Sequence, residues 1–246
     1  MAKIVCIIGN KGGTGKTTLS HMLAHGMGLF GKYTVAVLTD ADRFKLSKHR
    51  RNYLPFDARK PENLEKVIAK LHSVANWYGV IDGGGNRHEM DRRLAGASDL
   101  VLLPFRDSHE DIRTVIQDME RFPNAYALPS QWPTNQWQQA ASSRAVEQFL
   151  YDYKHRLLEP VYQLSSTKLL LQEDLPETLP TPLNNACRAL TMQVMELMGI
   201  NLSEEDWQPV KRQVEEKVLP AEVDVEGVRI TPQSLLGLRS SHVAYI

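Results

Sequence analysis

The chain has 246 residues, with 29 Lys plus Arg against 29 Asp plus Glu and a formal net charge of zero. Apolar residues make up 42% and charged residues 24%, an ordinary globular composition with length enough for one large core. These values exclude a strongly charged disordered chain, a basic or acidic tail protein and a disulfide-stapled secreted module; a zero sum leaves local basic patches open.

Residues 3–8, KIVCII, read as a buried strand rich in β-branched side chains. Only five apolar residues separate Lys3 from Gly9, too few for the core of a secretory leader, so a cytoplasmic protein is expected. A glycine-rich turn follows, then a helix over 17–29 with an apolar stripe of Leu19, Met22, Leu23 and Met27. A second strand spans 34–39 and stops at a polar segment; residues 44–60 read as basic and irregular. Pro61 opens a helix to about His72, and 77–81 form a third strand halted by Asp82 and three glycines. Strand 98–104, helix 108–122, strand 126–128 and a long helix over 136–158 follow. After a further apolar run at 167–171, helix 182–198 closes the body.

Strand and helix alternate, and the strands are apolar throughout, as in a parallel sheet covered on both faces. The expected fold is therefore α/β: a three-layer sandwich around a mostly parallel central sheet, spanning about 1–200. Residues 201–246 have a different pattern, charged to Lys217 and then mixed, and read as an accessory helix and arm. The two cysteines, Cys6 and Cys187, lie far apart without the close partner of a zinc or iron–sulfur motif and read as reduced, buried small apolar groups.

The segment Gly9-Asn-Lys-Gly-Gly-Thr-Gly-Lys-Thr-Thr18 fits GxxxxGK[ST] between a strand and a helix, the setting a phosphate-binding loop requires. Gly12, Gly13, Thr14 and Gly15 would turn backbone N–H groups towards phosphate oxygens, with the helix N-terminus adding its dipole. Lys16 would reach the β and γ phosphates, Thr17 would ligate Mg2+ and Thr18 could donate to the α phosphate, which makes ATP and Mg2+ the expected ligands. Lys11 is a second loop lysine, read either as a solvent-facing charge or as a cation for the transferring phosphoryl group.

KGGTGKTT resembles the deviant Walker A motif of the ParA/MinD family of P-loop ATPases, and the chain looks most like its small, plasmid partition-type members without an N-terminal DNA-binding domain. The resemblance implies that Lys11 is the signature lysine, reaching the partner's nucleotide in an ATP-dependent homodimer. It also matches Asp40 and Asp42, after the second strand, to a switch I segment. By that match Asp42 orients the attacking water, and Asp40 supports it or the Mg2+ shell; for both, a helix cap or turn is the structural alternative. Asp82 ends an apolar strand before glycine, as a Walker B carboxylate does, and would hold Mg2+ through its water shell. Gly83, Gly84 and Gly85 depart from the family's proline-rich continuation, and Asn86, Arg87 and His88 read as solvent-facing. The segment 129–133 falls where the family contacts adenine; Trp132 could stack there or pack beneath the loop.

The leading expectation is a Mg-dependent ATPase acting as a nucleotide-switched dimer in plasmid or DNA partition, with a small DNA-binding adaptor and a nucleoid-associated, bacterial setting. Nonspecific DNA would bind through 45–60, where Lys45, Lys48, His49, Arg50, Arg51, Arg59 and Lys60 cluster, unless that cluster is a plain solvated face. A membrane-surface ATPase of the division-site type and an ATP-dependent small-molecule synthetase or amidase are the alternatives. The end, TPQSLLGLRSSHVAYI, has few cations and poor helical periodicity, so a membrane partner is not expected. A cysteine-bearing carrier ATPase is disfavoured by where Cys6 and Cys187 fall.

Overall fold

The computed structural model describes residues 2–40, 46–84 and 88–201, with the backbone of 223–225 and 228–230. Asp42, Lys45, Gly85, Asn86 and Arg87, and the accessory helix expected after residue 201, lie outside the described residues.

Six strands form one sheet: β1 (Lys3–Ile7), β2 (Tyr33–Leu38), β3 (Leu54–Asp57), β4 (Trp77–Asp82), β5 (Leu100–Phe105) and β6 (Ala125–Pro129). Their spatial order is β3-β2-β4-β1-β5-β6, and every pairing is parallel. The helices are α1 (Lys16–Leu29), α2 (Pro61–Ser73), α3 (His88–Gly96), α4 (His109–Arg121), α5 (Gln136–Phe149) and α6 (Thr181–Leu197). Two short strands, β7 (Val223–Val225) and β8 (Val228–Ile230), pair antiparallel as a separate hairpin.

The strands are apolar on both faces because each face has its own core. Ile4, Cys6 and Ile8 point to one side, where Leu64, Val67 and Leu71 of α2, Leu94 of α3 and Ile112, Val115 and Met119 of α4 cover them. Val5 and Ile7 point to the other, against Leu19, Met22, Leu23 and Met27 of α1 and Leu183, Cys187, Leu190 and Val194 of α6. Each such buried side chain contributes roughly 1.5–3 kcal/mol by leaving water. The stripe read along α1 is thus its sheet-facing side, and the two cysteines lie on opposite sides of the sheet as free, buried thiols. Burial pushes the Cys187 thiol up to about 12 and the Cys6 thiol well above its usual range, so neither is a ready nucleophile.

Two expectations are corrected, and two elements are added. The irregular stretch 44–60 contains β3, a four-residue edge strand whose Pro55 hides it from a reading by propensity; proline is tolerated at a sheet edge. Helix α3, an element not read from the sequence, begins at His88, which is exposed as expected. The long helix expected to 158 ends at Phe149 and continues as a 3-10 turn, Tyr151–Arg156, because the chain must bring Leu158 N–H to the Ala127 carbonyl beside β6. The apolar run at 167–171 is part of another 3-10 turn, Ser165–Leu171.

Candidate nucleotide site

The loop 9–15 leaves the central strand β1 at the carboxyl edge of the sheet, where open parallel folds bind their ligands. Gly13 and Gly15 have φ of 77° and 83°, left-handed values that cost a residue with a Cβ about 1–2 kcal/mol. Gly15 is also the N-cap of α1 and supplies no side-chain cap, so the first turn presents its N–H groups to the loop. A Cβ at Gly12 or Gly13 would meet nothing within 4 Å, and both glycines are exposed.

Lys16 is buried at the start of α1, and its Nζ donates to the Lys11 carbonyl at 2.7 Å. Burial lowers its pKa, while the negative charges of Asp82, Asp91 and Asp118 act in the opposite direction. Thr14 and Thr17 are buried beside it, and Thr18 is half-buried. Asp82, the last residue of β4, pairs in register with Ile7 of β1 and Leu38 of β2, and its carbonyl accepts from Thr39 Oγ1 at 2.7 Å. Gly83 N–H then donates to the Ile7 carbonyl at 3.0 Å. A Cβ at Gly83 would lie 2.3 Å from Ile8 Cγ2, so only glycine lets this segment close against the strand that feeds the loop. Asp40 is half-buried just beyond the end of β2.

The loop is gripped from two further sides that the sequence did not single out. From the β6–α5 connection, Ser130 Oγ donates to the Thr14 carbonyl at 2.8 Å and Gln131 Nε2 to the Gly13 carbonyl at 2.7 Å. From α4, Asp118 accepts from Asn10 Nδ2 at 2.6 Å, and Glu110 Oε1 lies 2.5 Å from Lys11 Nζ. None of these four belongs to the loop motif, and only the position of 129–133 at a strand end could have drawn attention to Ser130 and Gln131. Trp132 is buried in the core, so of its two readings packing beneath the loop is the one observed.

The basic cluster at 45–60 does not survive whole. Arg51 is fully buried: its guanidinium donates to Tyr53 Oη at 2.8 Å and to the carbonyls of Ser47 at 2.8 Å, Leu170 at 2.9 Å and Gln172. Arg59 is held by Asp57, with Nε 2.7 Å from the carboxylate. Lys48, His49 and Lys60 remain exposed, with Arg50 half-buried.

The left-handed glycine backbone, the helix N-terminus and a buried lysine suit a polyphosphate. The Thr17 hydroxyl and the Asp40 and Asp82 carboxylates are hard oxygen donors of the kind Mg2+ takes, an ion that keeps several waters. Among the described residues no three His, Cys, Asp or Glu side chains gather into a protein-only metal cage. No described helix is long and apolar enough to cross a membrane.

Solved structures with this fold include the ATP complex of a Cyanothece McdA variant, at 15% identity and TM-score 0.57 over 81% of this chain and 97% of that one. The septum site-determining protein MinD of Pyrococcus horikoshii, complexed with Mg-ADP, is similar at 16% identity and TM-score 0.57, covering 81% and 98%. A plasmid partition protein of Borrelia burgdorferi is similar at 10% identity and TM-score 0.53, covering 79% and 99%. The chain shares the fold of these McdA, MinD and plasmid partition proteins. No protein-family model and no curated protein matches the chain.

Proposed function

We propose that this chain is a Mg-dependent ATPase that works as a nucleotide-switched homodimer in plasmid or DNA positioning, hydrolysing ATP to ADP and phosphate. The observation that supports this reading is the pair Lys11 and Lys16 in one motif, the second buried at the start of α1 and the first half-buried and held by the exposed Glu110. Its fold is shared with proteins solved as ATP and Mg-ADP complexes.

In this reading Gly12, Gly13, Thr14 and Gly15 cradle the phosphates with backbone N–H groups, Lys16 neutralises the β and γ oxygens and Thr18 donates to the α phosphate. Thr17 would hold Mg2+, with Asp82 and Asp40 as its further carboxylates, and the ion would supply charge neutralisation for the phosphates. Asp42 orients the attacking water. Lys11 serves the nucleotide of the second copy, as an arginine finger does in other classes. The body 1–200 carries the ATPase, with 201–246 as an accessory arm, and the site of action is cytoplasmic. A small DNA-binding adaptor is the expected partner, and Lys48, Arg50 and Lys60 are the cations left for nonspecific DNA.

The test compares binding of the full chain to nonspecific duplex DNA and to anionic lipid vesicles, each with ATP, ADP and no nucleotide. DNA binding gated by ATP supports the proposal. Vesicle binding gated by ATP replaces it with a membrane-surface ATPase, and neither response moves the reading towards a synthetase or carrier.

A further inference from the structure

We propose that Glu110 is a positioning residue for Lys11: it retains the lysine on its own protomer and sets how readily that side chain is released to a second copy. The inference rests on the reading of Lys11 given above and extends it to a residue outside the loop.

Residue 11 is pinned at both ends. Its carbonyl accepts from Lys16 Nζ at 2.7 Å, and its ammonium lies 2.5 Å from Glu110 Oε1. The helix that supplies Glu110 is firmly placed at that end. Ser108 Oγ caps α4 by accepting from Asp111 N–H at 3.1 Å, and Asp111 in turn accepts from Arg106 Nε at 3.0 Å. Two turns on, the same helix holds the preceding loop residue through Asp118 and Asn10. One helix therefore applies two carboxylates to two consecutive loop residues. Asp118 is buried and fixed; the Glu110 side chain is 76% exposed and that of Lys11 30%, so this second contact opens into water without leaving a buried charge.

The two pins respond differently to nucleotide. A bound triphosphate draws Lys16 Nζ from the Lys11 carbonyl to its own oxygens, and the main chain at 11 loses one partner. Glu110 is unaffected by that transfer and becomes the remaining restraint on the Lys11 side chain. A stronger anion, such as the phosphates bound to a second copy, competes with it. The contact is exposed, so its effect is modest, roughly two- to fivefold in an equilibrium constant, and is screened by salt.

The experiment uses the full chain as wild type, Glu110→Gln, Lys11→Ala and the double variant. Without nucleotide, acylation of Lys11 by an amine-reactive ester is followed by peptide mass mapping, with Lys48 as reference. With ATP and Mg2+, sedimentation gives the protein concentration at half-dimerisation. E110Q should label Lys11 faster and dimerise at two- to fivefold lower concentration, a gap that high salt closes, while the double variant should behave as Lys11→Ala. Unchanged labelling in E110Q with a normal ATP-dependent wild-type dimer overturns the role of Glu110 alone. A gain in dimerisation from E110Q in the Lys11→Ala background overturns it too, since the effect would not pass through Lys11. Faster labelling with no ATP-dependent dimer in any variant overturns release to a second copy, and with it the reading of Lys11.

Discussion

Asn10 donates its side-chain amide to the Asp118 carboxylate at 2.6 Å, and its backbone N–H points at the same carboxylate at 3.4 Å. This contact ties the first residues of the loop to the middle of α4. Burial pushes the Asp118 pKa up, and the hydrogen bonds from Asn10 and the charge of Arg121 oppose the shift. Asp118→Ala should cost about 1–3 kcal/mol of stability, because it leaves a loop donor unpaired. It should also weaken ATP binding, although Asp118 lies outside the phosphate cradle. Chemical denaturation and calorimetric ATP titration of the same variant check both; unchanged affinity would show that the loop keeps its shape without α4.

The start of α4 should respond to acid. Burial raises the Asp111 pKa, but hydrogen bonds from Arg106 and Ser108 outweigh it and leave the carboxyl below its ordinary value. A depressed native pKa contributes stability that is full above the unfolded value near ~3.9 and is lost as pH falls through the native value. Asp111→Asn should therefore narrow its stability deficit relative to wild type below about pH 4. Ser108→Ala, which removes the cap, should cost about 1 kcal/mol. Thermal melts between pH 3 and 7 measure both, and a deficit for Asp111→Asn that stays constant over this range would contradict the first.

Arg51 and Arg50 should separate cleanly. Arg51→Ala removes the donor to Tyr53 Oη and to several carbonyls in a fully buried setting, and should destabilise by about 3 kcal/mol or more. Arg50→Gln should change stability by less than about 0.5 kcal/mol and, if the remaining cations bind DNA, lower the salt slope of that binding. Urea denaturation and a salt titration of DNA binding distinguish the two positions. A folded, stable Arg51→Ala would overturn the structural role.

Helix α1 depends on glycine for its contact with α6. A Cβ at Gly26 would lie 2.2 Å from Thr191 Oγ1 and 2.4 Å from the Cys187 carbonyl oxygen. Alanine improves helix propensity by about 1 kcal/mol, but the overlap with a backbone carbonyl forces the helices apart and should cost about 1–3 kcal/mol net. Denaturation of Gly26→Ala checks the sign; a more stable variant would show that α6 yields freely.

Much of this was legible in the chain itself. Continuous apolar strands announced a two-faced parallel sheet, and the loop motif carried Lys16 and Thr17 to the sheet's carboxyl edge because its strand and helix neighbours are local. β3 was missed because four residues containing proline gain their order from pairing with β2 rather than from their own propensity. Arg51 was read as a surface cation because a window of charge does not reveal carbonyls supplied by 170–173, more than a hundred residues away. The grips of Glu110, Asp118, Ser130 and Gln131 on the loop are likewise tertiary: each reaches across the sheet edge from a segment with no motif of its own. Asp40 and Asp82 were placed by their strand ends, and Asp42 lies outside the described residues.

The most direct test of the central claim is calorimetric titration of ATP with Mg2+ into the full chain and into Lys16→Ala. The expected result is saturable binding by wild type that Lys16→Ala abolishes or weakens by a hundredfold or more, on the order of 3 kcal/mol for a lost buried phosphate contact. Equal binding by the two proteins, or none by the wild type, would contradict it.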